Sequence, residues 1–177
     1  MSPETTLIRP CQTADLPAVT AIYAHHVSHG SGSFELEPPS LQDMTQRHSH
    51  VTQLGLPWLV ATRHQEVLGF AYAGQFRPRP GFQYLVEDSV YIHQGHAGQG
   101  LGVALLAELI RCCEQSGKRQ MLAVIGDSAN AGSIALHARL GFIHTGILKA
   151  SGWKHGRWLD TVLMQRALGP GQSVDPA

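Results

Sequence analysis

Glycines at positions 95, 98, 100 and 102 fall between an apolar run, Val90-Tyr91-Ile92, and leucines at 101, 105 and 109. The run has the β-branched character of a strand. The spacing of three and four that follows it, continued by Cys112 or Cys113, marks one face of a helix ending near Gly117. A buried-type run, Met121-Leu122-Ala123-Val124-Ile125, comes next. Strand, glycine loop, helix, strand is a βαβ unit, which commits both strands to one sheet with the helix crossing over a face. Closely spaced glycines ahead of a helix leave several N–H groups free to point one way, and the helix N-terminus adds its positive end, so the loop suits an anion such as a pyrophosphate.

The rest of the chain supplies what surrounds this unit. Leu7-Ile8-Arg9-Pro10 reads as a short strand, with Thr13 as N-cap of a helix over 14–27 whose Leu16, Val19 and Ile22 share a face. After a Gly/Ser segment, Ser40 caps a second, mostly polar helix, with Asp43 completing an imperfect capping box. Two strand-like runs, 58–62 and 67–73, flank the polar His64-Gln65-Glu66 and predict a hairpin. A Pro/Arg loop leads to Tyr84-Leu85-Val86 and Ser89-Val90-Tyr91-Ile92, a longer strand interrupted by Glu87-Asp88. Ser128 or Asn130 can cap a short helix that Gly141 stops, and 142–148 and 158–164 read as two closing strands around a Gly/Lys/His turn. Residues 1–168 are expected to form one domain, and the aperiodic tail 169–177 is expected to be disordered.

Thirteen basic residues balance thirteen acidic ones, which gives no net charge for holding nucleic acid or an anionic membrane. No apolar stretch approaches the length that spans a bilayer, and the N-terminus lacks a secretory pattern. The three cysteines, Cys11, Cys112 and Cys113, fit neither a disulfide framework nor a zinc knuckle; reduced thiols suit the cytoplasm. Eleven histidines invite a metal reading, but His25 and His29 lack the glutamate of His-Glu-x-x-His, and His48 and His50 lie two apart. No metal is expected.

Which nucleotide the glycine loop suits follows from what it lacks. Gly100 is followed by Leu101-Gly102 and no lysine lies between Tyr84 and Lys118, which excludes a Walker A loop. A dinucleotide fingerprint starting at Gly98 needs glycine where Val103 stands. Gly98-Gln99-Gly100-Leu101-Gly102 instead resembles the coenzyme A loop of GCN5-related acetyltransferases, Gln/Arg-x-x-Gly-x-Gly/Ala, with Gly100 and Gly102 at its glycine positions and Ala97 in place of its leading Gln/Arg. The stretch from Asn130 to Leu140-Gly141-Phe142 resembles the same family's later motif. Ser33-Phe34-Glu35-Leu36-Glu37-Pro38, Val86-Glu87-Asp88-Ser89-Val90-Tyr91 and Gly152-Trp153-Lys154-His155-Gly156-Arg157 are similar to its phosphinothricin and methionine sulfoximine acetyltransferase branch.

The resemblance implies an α/β (α+β) fold, with a mostly antiparallel seven-stranded sheet, helices on both faces and a central βαβ unit for acetyl-CoA. It implies direct acetyl transfer to a primary amine. Only the free-base amine attacks a thioester, so a carboxylate must take its proton, and Glu87 matches the branch's glutamate. His137 stands where much of the superfamily has a tyrosine that protonates the departing thiolate. The implied cofactor contacts are Val90, Tyr91 and Ile92 along the strand, with a backbone N–H there for the oxyanion, then Ala97, Gly98, Gln99, Gly100, Leu101, Gly102 and Val103, and Asn130 with Ser133. For an amino-acid-like acceptor the expected contacts are Phe34, Arg77, Arg79, Glu87, Asp88, Ser89 and Lys154. Gln83 and Leu85 depart from the branch, which commonly has arginine and threonine there. The branch also implies a homodimer. Two other readings stay open: the same fold acting on another small amine, a polyamine or a protein N-terminus, and a non-catalytic acyl-CoA-binding module, for which Ala97 argues and against which Glu87 and His137 argue.

Overall fold

The computed structural model describes residues 5–176 and gathers seven strands into one sheet, in the order β1-β2-β3-β4-β5-β7-β6. In chain order the elements are β1 (Leu7–Pro10), α1 (Leu16–His29), α2 (Leu41–Gln53), β2 (Trp58–Arg63), β3 (Glu66–Gln75), β4 (Leu85–Ile92), α3 (Leu101–Gln115), β5 (Gln120–Gly126), α4 (Ala131–Arg139), β6 (Ile143–Lys154) and β7 (Arg157–Ala167). Every pairing is antiparallel except β4 with β5, the pair that α3 bridges. A parallel pair needs such a crossover, so the glycine-loop helix fixes the centre of the sheet.

Side-chain alternation along β4 decides what each face carries. Tyr91 turns toward α1, where its ring meets Tyr23 at 4.9 Å and Phe70 at 5.4 Å; Trp58 and Tyr72 extend the stack. On the opposite face Leu105, Leu106 and Leu109 of α3 are fully buried. Gly69 of β3 lets that helix approach, since a Cβ there would stand 2.9 Å from the Tyr91 carbonyl oxygen and 3.3 Å from Leu105 Cδ1.

Three local expectations need correction. The first helix does not start at Ala14: Thr13–Asp15 is a 3-10 turn and α1 opens at Leu16, with Pro17 in its first turn where a missing N–H costs nothing. Asp15 causes the offset, because its carboxylate accepts from Gln12 N at 2.7 Å and from both Arg9 nitrogens at 2.7 and 2.8 Å. Next, β4 runs through Glu87 and Asp88 without interruption. The closing strands are longer than expected, extending to a two-residue turn, His155-Gly156, whose positive φ values of 53° and 72° are those a tight hairpin needs. Along the tail, Arg119 donates to the carbonyls of Gly171 and Asp175, and Gly169 N donates to Glu114.

Asp15 makes a test of the first correction. Its carboxyl is held below the ordinary carboxylate range, chiefly by the Arg9 hydrogen bonds. Asp15→Ala should lower unfolding free energy by about 2 kcal/mol, the scale of charge-assisted hydrogen bonds, in urea titrations at pH 7. The sign follows from the lowered pKa: the contribution is complete above the ordinary carboxylate pKa and is lost as pH falls through the depressed one, so the difference between the two proteins shrinks in acid.

Candidate active site

Pairing between β4 and β5 covers only residues 85–88 against 120–123. Past that point β4 continues against β3 alone and β5 against β7 alone, so the two inner edges part. The gap is a cavity of about 630 Å³, with Asp88, Val90 and Ile92 on one side and Val124, Ile125 and Gly126 on the other. Inner strand edges left without a neighbour offer backbone donors and acceptors to an extended ligand. Tyr91 and Ser89 also line the cavity, and His26 donates through Nε2 to the Ile92 carbonyl at 2.7 Å. His26 is a site residue that sequence reasoning missed, one histidine among eleven with no motif around it.

Toward α3 the cavity reaches Gln94 and Ala97. Gly98 and Gly100 take φ of +76° and +80°, which disfavour any side chain, and an added Cβ would meet nothing within 4 Å at either. Gly100 is the N-cap and has no side chain to cap with. The first intrahelical bond is Ala104 N to Gly100 O, which leaves the N–H groups of Leu101, Gly102 and Val103 without helical partners. The Leu101 side chain is core, 3% exposed. Gly102 has a second reason to be glycine: a Cβ there would stand 3.3 Å from Leu136 Cδ2 of α4. Gln99 turns its side chain to Arg63 and His96, at 3.4 and 3.5 Å.

At the inner end of the cavity stands a buried polar pair. Asp88, the last residue of β4 paired with β5, places Oδ2 at 2.9 Å from Nε2 of His137 on α4. His137 Nδ1 lies 2.7 Å from the Ser133 carbonyl oxygen, and Ser133 Oγ is 3.4 Å away. Burial works to lower the His137 pKa, but the Asp88 carboxylate and the Ser133 carbonyl outweigh it and leave it raised. Asn130 caps α4 by accepting from Ser133 N, donates to the Gly126 carbonyl and lines the cavity. Arg157, paired with Asp127 at 2.7 Å, is a second lining residue absent from the sequence expectations.

Glu87 projects from the opposite face of β4, the Tyr91 face, and is half-buried. Its pKa is raised by burial and by neighbouring Asp88, against a smaller opposing pull from Arg77. On the same face Tyr72 stands opposite Ser89 across the β3–β4 pair. Arg77 and Arg79 are exposed. Two expected acceptor contacts are engaged elsewhere. Lys154 is 3% exposed and donates to the Ser33 carbonyl at 2.7 Å, and Phe34 lies on Gly152, where a Cβ would overlap its ring. Together they pin the α1–α2 loop onto the closing hairpin. Asp88 turns to the face of β4 opposite Glu87, toward His137. Among the described residues no group of three or more His, Cys, Asp or Glu could hold a metal ion, and no helix is long and apolar enough to cross a membrane.

A parted parallel pair with a glycine loop at its mouth can be compared with known proteins. The model of the acetyltransferase (GNAT) family matches residues 20–142. The chain belongs to the GNAT family. Among GNAT relatives it is 50% identical over 169 residues to a phosphinothricin N-acetyltransferase of Alcaligenes faecalis, covering 96% of this chain and 86% of the relative. An L-methionine sulfoximine/L-methionine sulfone acetyltransferase of Pseudomonas aeruginosa is 41% identical over 168 residues, covering 94% and 97%. A solved GNAT superfamily phosphinothricin acetyltransferase from Sinorhizobium meliloti, in complex with AcCoA, matches with a TM-score of 0.95 at 46% identity, covering 98% of this chain and 94% of that one. The mixed sheet with helices on both faces is thus the GNAT fold.

Proposed function

We propose that this chain transfers the acetyl group of acetyl-CoA to the primary amine of a small amino acid analogue of the phosphinothricin, methionine sulfoximine or methionine sulfone kind. The observation that carries the reading is the 50% identity to a phosphinothricin N-acetyltransferase across nearly the whole chain. The open edges of β4 and β5 suit the pantetheine arm, and the uncapped N–H groups of Leu101, Gly102 and Val103 suit its pyrophosphate. The donor supplies an acetyl thioester. Everything else falls to side chains and backbone of this chain.

Glu87 is the general base. It stands within one residue of the point where β4 and β5 part, on the face away from His137, and burial raises its proton affinity toward the working pH. It takes the amine proton directly or through a water. Arg77 and Arg79 are the cations available for an acceptor's carboxylate or phosphinate. His137 gives a proton to the departing sulfur. Thiol release from acetyl-CoA, followed over a panel of amino acid analogues, free amino acids, polyamines and peptide N-termini, tests the reading. Turnover confined to polyamines or peptides would overturn the acceptor class, and acetyl-CoA binding without turnover on any amine would overturn the enzyme.

A cytoplasmic homodimer completes the proposal. Three unbridged cysteines support the location. For self-association the support is apolar surface on the closing hairpin, where Leu148, Trp153 and Trp158 are 53%, 55% and 63% exposed. Sedimentation should give twice the chain mass, and Trp158→Glu should shift it to the monomer. A monomeric unsubstituted chain would refute the dimer.

A further inference from the structure

The Asp88–His137 contact imposes a condition on protons. Nδ1 of His137 is 2.7 Å from a carbonyl oxygen, which can only accept, so Nδ1 carries a hydrogen. With that hydrogen fixed, a neutral imidazole presents a bare lone pair at Nε2. Yet Nε2 is 2.9 Å from Asp88 Oδ2, and an ionised carboxylate is also acceptor-only. Two lone pairs do not meet at that distance in a buried site, where both side chains are 5% exposed or less. The contact therefore needs a further proton between Nε2 and Oδ2.

The surroundings say which partner holds it. Both ring nitrogens of His137 face acceptor oxygens, the arrangement that an imidazolium's two N–H donors satisfy, while Asp88 Oδ1 is buried with no hydrogen-bond partner among the described residues, so the imidazolium is the positive neighbour that offsets this carboxylate. Around the pair stand the Phe142 ring, edge-on to His137 at 5.0 Å, the Cys113 thiol of α3, whose pKa is pushed up to about 12 mainly by burial, and Glu87 on the far face of β4. Asp88 is the charged group that acts on His137.

We propose that Asp88 is a positioning residue that keeps His137 doubly protonated, so that the proton needed by the departing sulfur is already on Nε2 when the donor binds. This rests on the acetyl-transfer reading above and adds to it the source of that proton. As the carbon–sulfur bond breaks, its electron pair stays on sulfur and the Nε2 proton passes to it, giving the thiol. His137 is left neutral, with its other proton held on Nδ1 by the Ser133 carbonyl and a bare Nε2 facing the Asp88 carboxylate; that unfavourable contact lasts only until solvent returns a proton to Nε2 and restores the resting pair. Adjacent residues of one strand thus serve the two proton transfers from opposite faces, Glu87 toward the amine and Asp88, through His137, toward the sulfur.

The test uses the full chain. In nitrogen-15 spectra of histidine-labelled protein at pH 7 to 8, with the signals assigned by their loss in His137→Asn, both ring nitrogens of His137 should be protonated. In Asp88→Asn, which removes the charge at nearly constant shape, only one should be. The same variant should lose about 10²-fold in kcat, the scale of general acid catalysis, while KM for acetyl-CoA moves less than about threefold. Its deficit should narrow by about tenfold per pH unit below neutrality until the imidazole protonates unaided. A purely structural role would lower the rate without that narrowing. A singly protonated His137 in the unsubstituted chain, or an Asp88→Asn variant with unchanged kcat and pH profile, would overturn the proposal. Absence of thiol release by the unsubstituted chain would instead overturn the acetyl-transfer reading, which the imidazole signals do not depend on.

Discussion

Glu87→Gln is expected to lower kcat by about 10²- to 10³-fold while leaving KM for acetyl-CoA within about twofold. The substitution keeps size and hydrogen-bonding reach and removes only the ability to accept a proton. Since burial raises the Glu87 pKa, the rate of the unsubstituted chain should climb with pH through a limb above the ordinary carboxylate range, as the carboxylate form appears. The limb should vanish in the variant, leaving the rise that the amine's own deprotonation gives. Steady-state rates from pH 5 to 9 with one saturating acceptor read both effects. An unchanged kcat, or a variant that keeps the limb, would remove Glu87 from the reaction.

The second large effect lies where no reacting group stands. Gly126 ends β5 beneath the α1–α2 loop, and a Cβ there would overlap the Ser31 carbonyl oxygen and stand 3.1 Å from its carbon and 3.3 Å from the Gly32 carbonyl carbon. All three are backbone atoms, so the loop itself must lift. Lifting separates Lys154 from the Ser33 carbonyl and Tyr23 from the Ser33 hydroxyl, and leaves a buried ammonium without its acceptor. Gly126→Ala should therefore cost about 3 kcal/mol in urea unfolding and raise KM for acetyl-CoA, because Ser31, Gly32 and Gly126 all line the cavity. Gly152→Ala is the contrast. There the obstacle is a side chain, the ring of Phe34, 36% exposed, which can give way toward solvent without moving backbone, so the loss should be below about 1.5 kcal/mol. Equal losses at the two sites would refute the account.

Much of this frame was legible in the chain because local chemistry agrees with it. The Ser40–Asp43 box closes in both directions, the His64-Gln65 turn takes the positive φ its hairpin needs, and Asn130 caps α4 as its position suggests. The glycine loop and its helix fall where their periodicity puts them. What failed to show depends on partners distant in sequence. Glu87-Asp88 looked like a break in a strand because two charges in an apolar run are costly in isolation. His137, 49 residues on, accommodates one of them, and partial exposure accommodates the other. Lys154 looked like a substrate cation because nothing near it in sequence marks a carbonyl 121 residues away as its acceptor. Arg47 is committed in the same way, to Glu35 at 2.6 Å.

The parting of β4 from β5 has a mechanical consequence. Within the sheet only four paired residues join β1–β4 to β5–β7, so it carries a perforation along its middle. An acyl donor lying in it, with its amides shared between the two edges, would act as a stitch, and the donor's occupancy and the rigidity of the two halves would then be a single variable. The acceptor side proposed above, with Glu87 on β4, adjoins that seam and would take its shape only once the stitch is in place.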